Sequence, residues 1–414
     1  MLTARPESSQ SSRRDAWVEI NLSNLESNIA TVHSWLQHAS ASNSPARLMG
    51  VIKSDAYGHG ALAVGEVLAA SGAAWLAVAS VDEGCQLRSG GIKLPILVLS
   101  PTPSWAISTA LKNNLDLTVT SFHQLNELVD QVRKQEKPTG VHLKIDTGMH
   151  RLGFAKKAIP ELIDQLNLFP QMKLVSIFSH LAKADDLECT RAQNEAFEDV
   201  LAMFAKAGRT PEFVHIASSE ASRRFPFAHH DMVRVGINLF GLEACEISQD
   251  LVPVLALRGR INQISTIGKG ESVGYGLTWT AERETKLAVI PIGYGDGVDR
   301  RLSNRMRGLL SGRVVPQVGR ISMDQMIFDV TDVAHAEEGD VITLIGSELG
   351  SDRGQGRTRS GSGNTTITLA EWAQSLGTIT YELACRLRIR LPRIYTRSSS
   401  TVLPGALKSN SGRK

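Results

Sequence analysis

The sequence predicts an α/β chain: an N-terminal (β/α)8 TIM-like barrel followed by a mostly β C-terminal domain. Eight short runs rich in Val, Ile and Leu fall at 48–52, 75–79, 96–100, 116–120, 141–146, 174–179, 213–217 and 233–236. Between most of them, apolar residues recur at three- and four-residue spacing, as at Leu125, Leu128 and Val132. Eight strand–helix units suggest a barrel, although the count alone does not fix closure. After residue 250 the rhythm changes. Short strand-like segments at 255–264, 286–292, 313–317, 326–330 and 340–345 are punctuated by glycine and polar turns. Helical spacing returns only at 368–376.

Taken in chain order, residues 1–15 are polar, rich in Ser and Arg, and have no apolar stretch of signal-peptide type, so a disordered tail is expected. Residues 16–22 form the first strand, which is expected to join the sheet of the β domain. Ser23-Asn24-Leu25-Glu26 has the pattern of a capping box, and Leu25, Ile29, Val32 and Leu36 make one helical face. The barrel is expected over 16–250 and the β domain over 251–395. A Gly/Ser/Arg-rich stretch at 346–366 reads as a loop insertion, and 396–414 as a second disordered tail.

With 414 residues, 42% of them hydrophobic and 21% charged, the chain has the composition of a soluble two-domain protein. Forty-five basic against 42 acidic residues leave a net charge of +3, with no basic stripe, which argues against a nucleic-acid partner. No apolar stretch reaches membrane-spanning length. Cys85, Cys189, Cys245 and Cys385 are scattered, which suits reduced thiols and gives no metal signature. A cytoplasmic location is expected.

The chemistry is concentrated at the strand ends, where barrels carry their active sites. Gly50-Val51-Ile52-Lys53-Ser54-Asp55-Ala56-Tyr57-Gly58-His59-Gly60 places one amine at the end of a buried strand. A lone lysine there is normally a solvated charge. Desolvated and partly deprotonated, the same amine can condense with the aldehyde of a cofactor. The fifth run carries Lys144 and leads into Asp146-Thr147-Gly148-Met149-His150-Arg151. His180 follows the sixth run, Ser218-Ser219 the seventh, and Arg234 lies in the eighth, just before Gly236. Each alone is more often a paired structural group. Together they supply a nucleophile, several cations and small residues that expose backbone N–H groups around one rim. That set suits an anionic cofactor and a carboxylate substrate.

These motifs resemble those of the alanine racemase family. The matching pieces are Trp17-Val18-Glu19-Ile20-Asn21, the Lys53 run, 144–153, Met232-Val233-Arg234-Val235-Gly236, Val273-Gly274-Tyr275-Gly276, 292–297 and Gly319-Arg320-Ile321-Ser322-Met323-Asp324-Gln325. The resemblance implies a pyridoxal 5'-phosphate (PLP) barrel and a β domain, paired head to tail in a homodimer with shared active sites. It implies two-base interconversion of L- and D-alanine, supplying D-alanine for peptidoglycan. Lys53 would hold the cofactor and act as one base, and Tyr275 from the partner subunit would be the other. Arg151 and the Met323 backbone would bind the substrate carboxylate. Tyr57, Ser219, Gly236 and Tyr381 would bind phosphate. Arg234 would face the ring nitrogen, with His180 behind it. A guanidinium cannot accept a proton, which keeps that nitrogen neutral and restrains transamination. Lys144, carbamylated in some members, and Asp324 would be supporting residues. Asp185, Tyr294 and Arg320 would line the entry corridor. The same machinery could serve a serine or broad-specificity racemase. A one-domain PLP-homeostasis protein fits less well, since it would lack the domain that carries Tyr275.

Overall fold

The computed structural model describes residues 15–39, 45–135, 139–169, 172–242, 250–348, 366–387 and 390–397. Strand β1 (Ala16–Asn21) runs straight into a helix, Leu22–Ala39, which buries Leu25, Ile29, Val32 and Leu36. The cap differs from the one expected. Asn21 Oδ1 accepts the Asn24 N–H at 3.1 Å, and Ser23 lies inside the helix. Asn21 is both the last strand residue and the first helix partner, and that double role hid it from a pattern search.

Eight parallel strands follow: β2 (Arg47–Val51), β3 (Trp75–Val78), β4 (Ile96–Val98), β5 (Asp116–Val119), β6 (Thr139–Lys144), β7 (Met172–Phe178), β8 (Phe213–His215) and β9 (Met232–Val235). Each pairs with its sequence neighbour from β2 to β8, and β9 pairs with β2. The Arg234 N–H donates to Ala217 O at 3.0 Å and the Asp231 N–H to Val214 O at 3.2 Å, closing the ring between β8 and β9. Strands buried on both faces read as continuous apolar runs, which is why all eight were visible in the sequence. Between them, helices turn apolar faces to the barrel. The helix Ile159–Asn167 buries Ile159, Leu162, Ile163 and Leu166, and Leu187–Lys206 buries Phe197, Val200 and Phe204.

The second sheet is built from β10 (Leu255–Arg260), β11 (Gln263–Ile267), β14 (Thr285–Ile290), β15 (Arg307–Leu310), β16 (Arg313–Val318), β17 (Met326–Asp329), β18 (Val341–Ser347), β19 (Thr366–Ile367) and β20 (Arg393–Thr396), with β1. The short β12 (Ser272–Val273) and β13 (Trp279–Thr280) pair separately. β1 lies between antiparallel β10 and parallel β20, so the start of the chain is built into the sheet formed by its end. Two edges of the sequence reading need correction. Thr396, expected in the tail, pairs with Asn21. Gly346, Ser347 and Thr366, expected in the insertion, belong to the β18–β19 pairing. Residues 349–365 of that insertion, Cys245 and residues 1–14 and 398–414 lie outside the described residues. No described helix is long and apolar enough to cross a membrane.

Candidate active site

A cavity of about 550 Å³ opens at the C-terminal ends of the barrel strands. Lys53, Tyr57, Lys144, Arg151, His180, Ser219, Arg234, Gly236 and Tyr381 all line it. One folded chain thus gathers nine of the residues singled out from the sequence.

Lys53 is aimed by an unusual piece of backbone. Ser54, Asp55, Ala56 and Tyr57 all have φ near 53° and ψ between 39° and 50°, forming a left-handed helical turn. L-residues incur about 1–2 kcal/mol each in that region, so the turn persists only where other contacts over-determine it. Those contacts are present. The Ser54 N–H donates to Glu83 Oε1 at 2.6 Å, and the Ala61 N–H to Asp55 Oδ1 at 2.7 Å. His59 Nδ1 donates to Ala56 O and Tyr57 O, both at 3.0 Å, and its ring stacks 4.2 Å from Phe240. Glu83 is itself fixed in a capping box with Ser80.

The turn delivers the Tyr57 hydroxyl beneath Gly236. A Cβ at residue 236 would lie 2.5 Å from that oxygen. Tyr57 is hemmed in by Phe240 and Tyr381, at ring separations of 5.5 and 6.1 Å. Burial, reinforced by Tyr381, pushes the Tyr57 phenol far above its ordinary range, so it remains a protonated donor. Ser219 Oγ accepts the Gly236 N–H at 2.9 Å. Gly236→Ala is expected to destabilise the chain by about 1–3 kcal/mol through overpacking, measured by denaturant titration. An unchanged midpoint would mean that Tyr57 has room to move.

The cations crowd together. Lys144 ends β6 almost fully buried, 5.0 Å from the Phe178 ring centroid, and Arg234 stands 5.4 Å from the same ring. Burial lowers Lys144 well below an ordinary lysine, and Arg234 and Arg151 lower it further. Arg234 donates to His180 Nδ1 at 3.0 Å, His215 Nδ1 at 2.7 Å, Ser179 O at 2.7 Å, Ile216 O at 3.1 Å and His215 O at 3.2 Å. Burial alone brings its pKa down to about 9, so it stays charged at neutral pH. Burial, and then Arg234, drive His180 down to about 2, leaving it a neutral acceptor. Arg151 sits on a loop tied by Asp146, whose Oδ1 accepts the N–H groups of Gly148 and His150 at 3.0 Å each.

Tyr275, Tyr294, Arg320, Met323, Asp324 and Asp185 do not line this cavity. Tyr275 opens a one-turn helix, Tyr275–Leu277, and is 71% exposed. Beside it, a Cβ on Gly276 would lie 3.3 Å from Arg320 Nε. The Tyr294 N–H donates to Ser322 O at 3.0 Å and the Gly295 N–H to Met323 O at 2.8 Å, joining two of these loops. Arg390 then binds Asp296 Oδ1 and Asp324 Oδ1, both at 2.8 Å. The candidate residues therefore form two groups, a walled cavity and an exposed ledge carried by the second sheet. Asp185 stands apart from both, next to the cavity residue Ala184.

Sequence reasoning passed over Glu83, His215 and Phe178. Glu83 reads as an ordinary helix-start acid, and nothing local in Val214-His215-Ile216 separates a structural histidine from a working one.

The alanine racemase N-terminal domain profile matches residues 20–244, and the alanine racemase C-terminal domain profile matches 254–395. An alanine racemase of Synechocystis sp. is 39% identical over 388 residues, covering 92% of this chain and 99% of its own. One from Nostoc sp. is 37% identical, over 92% and 95% of the two chains. The solved structure of a Clostridium difficile 630 alanine racemase superposes with a TM-score of 0.81 at 32% identity, over 92% of this chain and 96% of that one. Barrel, second sheet and cavity thus agree with near full-length likeness, and the chain belongs to the alanine racemase family.

Proposed function

We propose that the chain interconverts L- and D-alanine with PLP as cofactor, acting as a head-to-tail homodimer in the cytoplasm and supplying D-alanine for peptidoglycan. The observation that carries this reading is the convergence of Lys53, Tyr57, Ser219, Arg234 and Gly236 on one cavity. The donor set fits the cofactor. The hydroxyls of Tyr57, Ser219 and Tyr381, beside a glycine with no space for a side chain, suit a phosphate. The Lys53 amine suits an aldehyde, and Arg234, able only to donate, suits a neutral ring nitrogen. When bound, the cofactor supplies an electron sink for the charge left on the substrate's α-carbon as its proton departs.

Racemisation needs proton-moving groups on opposite faces of that carbon. Lys53 Nζ serves one face. Tyr275, exposed on its own chain, serves the other from a second copy, through its phenolic oxygen. Arg151 pairs with the substrate carboxylate, and the same second copy adds the Met323 N–H. A guanidinium matches a carboxylate in two parallel hydrogen bonds and so orients the α-carbon between the two bases. Lys144, depressed by burial and its cationic neighbours, supports Arg151, as an amine or as a carbamate. Asp324 steadies the Met323 loop through Arg390, and Asp185, Tyr294 and Arg320 flank the way in.

The test is direct. Purified protein with PLP is expected to interconvert alanine enantiomers faster than those of serine. Borohydride is expected to fix the cofactor on Lys53, read by peptide mass spectrometry, and Lys53→Ala to abolish that adduct. Fixation elsewhere, or no PLP-dependent racemisation, overturns the reading.

A further inference from the structure

Below the cavity, a file of polar side chains descends through the barrel interior. Side chains two apart on a strand share a face, so His142 points with Lys144, Ser176 with Phe178, and His215 with Phe213. Arg234 Nη1 donates to His215 Nδ1 at 2.7 Å, and its other acceptor, at 3.2 Å, is the same residue's carbonyl. His215 Nε2 lies 3.2 Å from Ser176 Oγ, and Ser176 Oγ lies 2.8 Å from His142 Nδ1. Among the described residues, His142 Nε2 has no hydrogen-bond partner. It lies 3.7 Å from Asp116 Oδ1, at the first residue of β5. His142, Ser176 and His215 are fully buried, while Asp116 is 27% exposed.

One set of proton positions satisfies every pair and also gives each proton an acceptor; were Ser176 to accept from both rings, its own proton would have no acceptor among the described residues. A guanidinium has no lone pair to offer, so His215 Nδ1 must accept and its Nε2 must carry the proton. That proton goes to Ser176 Oγ, whose own proton then goes to His142 Nδ1. His142 is left with its proton on Nε2, facing a carboxylate that can only accept. At 3.7 Å this last pair is too long for a direct hydrogen bond, but close enough for the charge to favour that tautomer. The ends of the file, a pure donor and a pure acceptor, agree on its direction. Burial, and then Arg234, keep His215 well below its ordinary range, consistent with a neutral ring.

We propose that His142 is a positioning residue for Arg234. Through Ser176 and His215 it orders a one-way file of hydrogen bonds that holds the guanidinium at the cavity wall, with Asp116 anchoring the far end. Its consequence for turnover rests on the proposed function, whereas the file itself does not.

The test uses the full chain, labelled with 15N at histidine and arginine. Long-range 1H–15N spectra are expected to show His142 and His215 neutral, each protonated at Nε2. In Ser176→Ala, His215 loses its partner at Nε2, and exchange of the Arg234 Nη protons is expected to quicken about two- to tenfold, the range for one lost hydrogen bond between neutral groups. The kcat for alanine is expected to fall alongside, with KM held. Should Ser176→Ala not fold, Asp116→Asn, at a partly exposed site, is expected to mix the two His142 tautomers. An Nδ1-protonated His215, unchanged Arg234 exchange in Ser176→Ala, or an unchanged His142 in Asp116→Asn overturns the proposal. Tautomers and exchange are read without cofactor or substrate, so a chain that fails to racemise alanine overturns the proposed function and leaves this test standing.

Discussion

Replacing Tyr275 by phenylalanine is expected to slow racemisation by about 10²–10⁴-fold, the usual yield of one general acid–base group. Cofactor binding should survive, because Tyr275 does not line the cavity that contains Lys53. Turnover must fall equally in both directions, since the equilibrium between enantiomers cannot change. Exchange of the D-alanine α-proton through Lys53 should persist, read by deuterium incorporation. Mixing inactive Lys53→Ala and Tyr275→Phe subunits should restore activity. A mixed dimer holds one doubly damaged site and one intact site. At random exchange about half the dimers are mixed, so roughly a quarter of all sites work. No recovery, with exchange verified by native mass spectrometry, would mean that Tyr275 does not act across a dimer.

Mild acid is expected to destabilise the chain steeply, before most carboxylates titrate. Burial holds His59 at about 4 and His180 at about 2, and pushes His215 well below its ordinary value. Their unfolded counterparts titrate near ~6.5. Between those values the unfolded chain binds more protons, so stability rises with pH. It is fully present above ~6.5 and falls as pH drops toward the folded values. Each histidine adds a slope of about 1.4 kcal/mol per pH unit, so three together give about 4 between pH 6 and 5. Urea titrations at fixed ionic strength across pH 8 to 5 measure this directly. A flat profile between 6.5 and 5 would show that the three rings are not held neutral.

Much of the cavity lining was legible because its residues stand at strand ends, and strand ends could be read from apolar runs. Lys53, Lys144, Arg234 and Gly236 are of this kind. The left-handed turn was not legible. Ser54, Asp55, Ala56 and Tyr57 have no local preference for positive φ, and only Gly58 and Gly60 hinted at special backbone. Its cause lies in Glu83, about thirty residues on and beyond the next barrel strand, β3, out of reach of any local pattern. His215 escaped for a related reason: its significance is a contact with Arg234 on the next strand. The capping error at Ser23 is the simplest case, since Asn21 served two elements at once. That Tyr275 lies away from the cavity could not be read from spacing, because no periodicity encodes how loops of the second sheet sit relative to the barrel mouth.

On the role proposed for Lys53, the left-handed turn also bears on when its amine becomes competent. Taken alone, residues 53–58 would relax to ordinary right-handed or extended backbone, and Lys53 would be one more flexible surface amine. Its alignment exists only after the helix carrying Glu83 has docked, the His59 ring has found Phe240, and β9 has brought Gly236 over Tyr57. Those partners are spread across nearly two hundred residues of chain. A partly folded chain therefore presents no prepared amine to passing aldehydes, and reactivity arrives as the last sign that the barrel is complete.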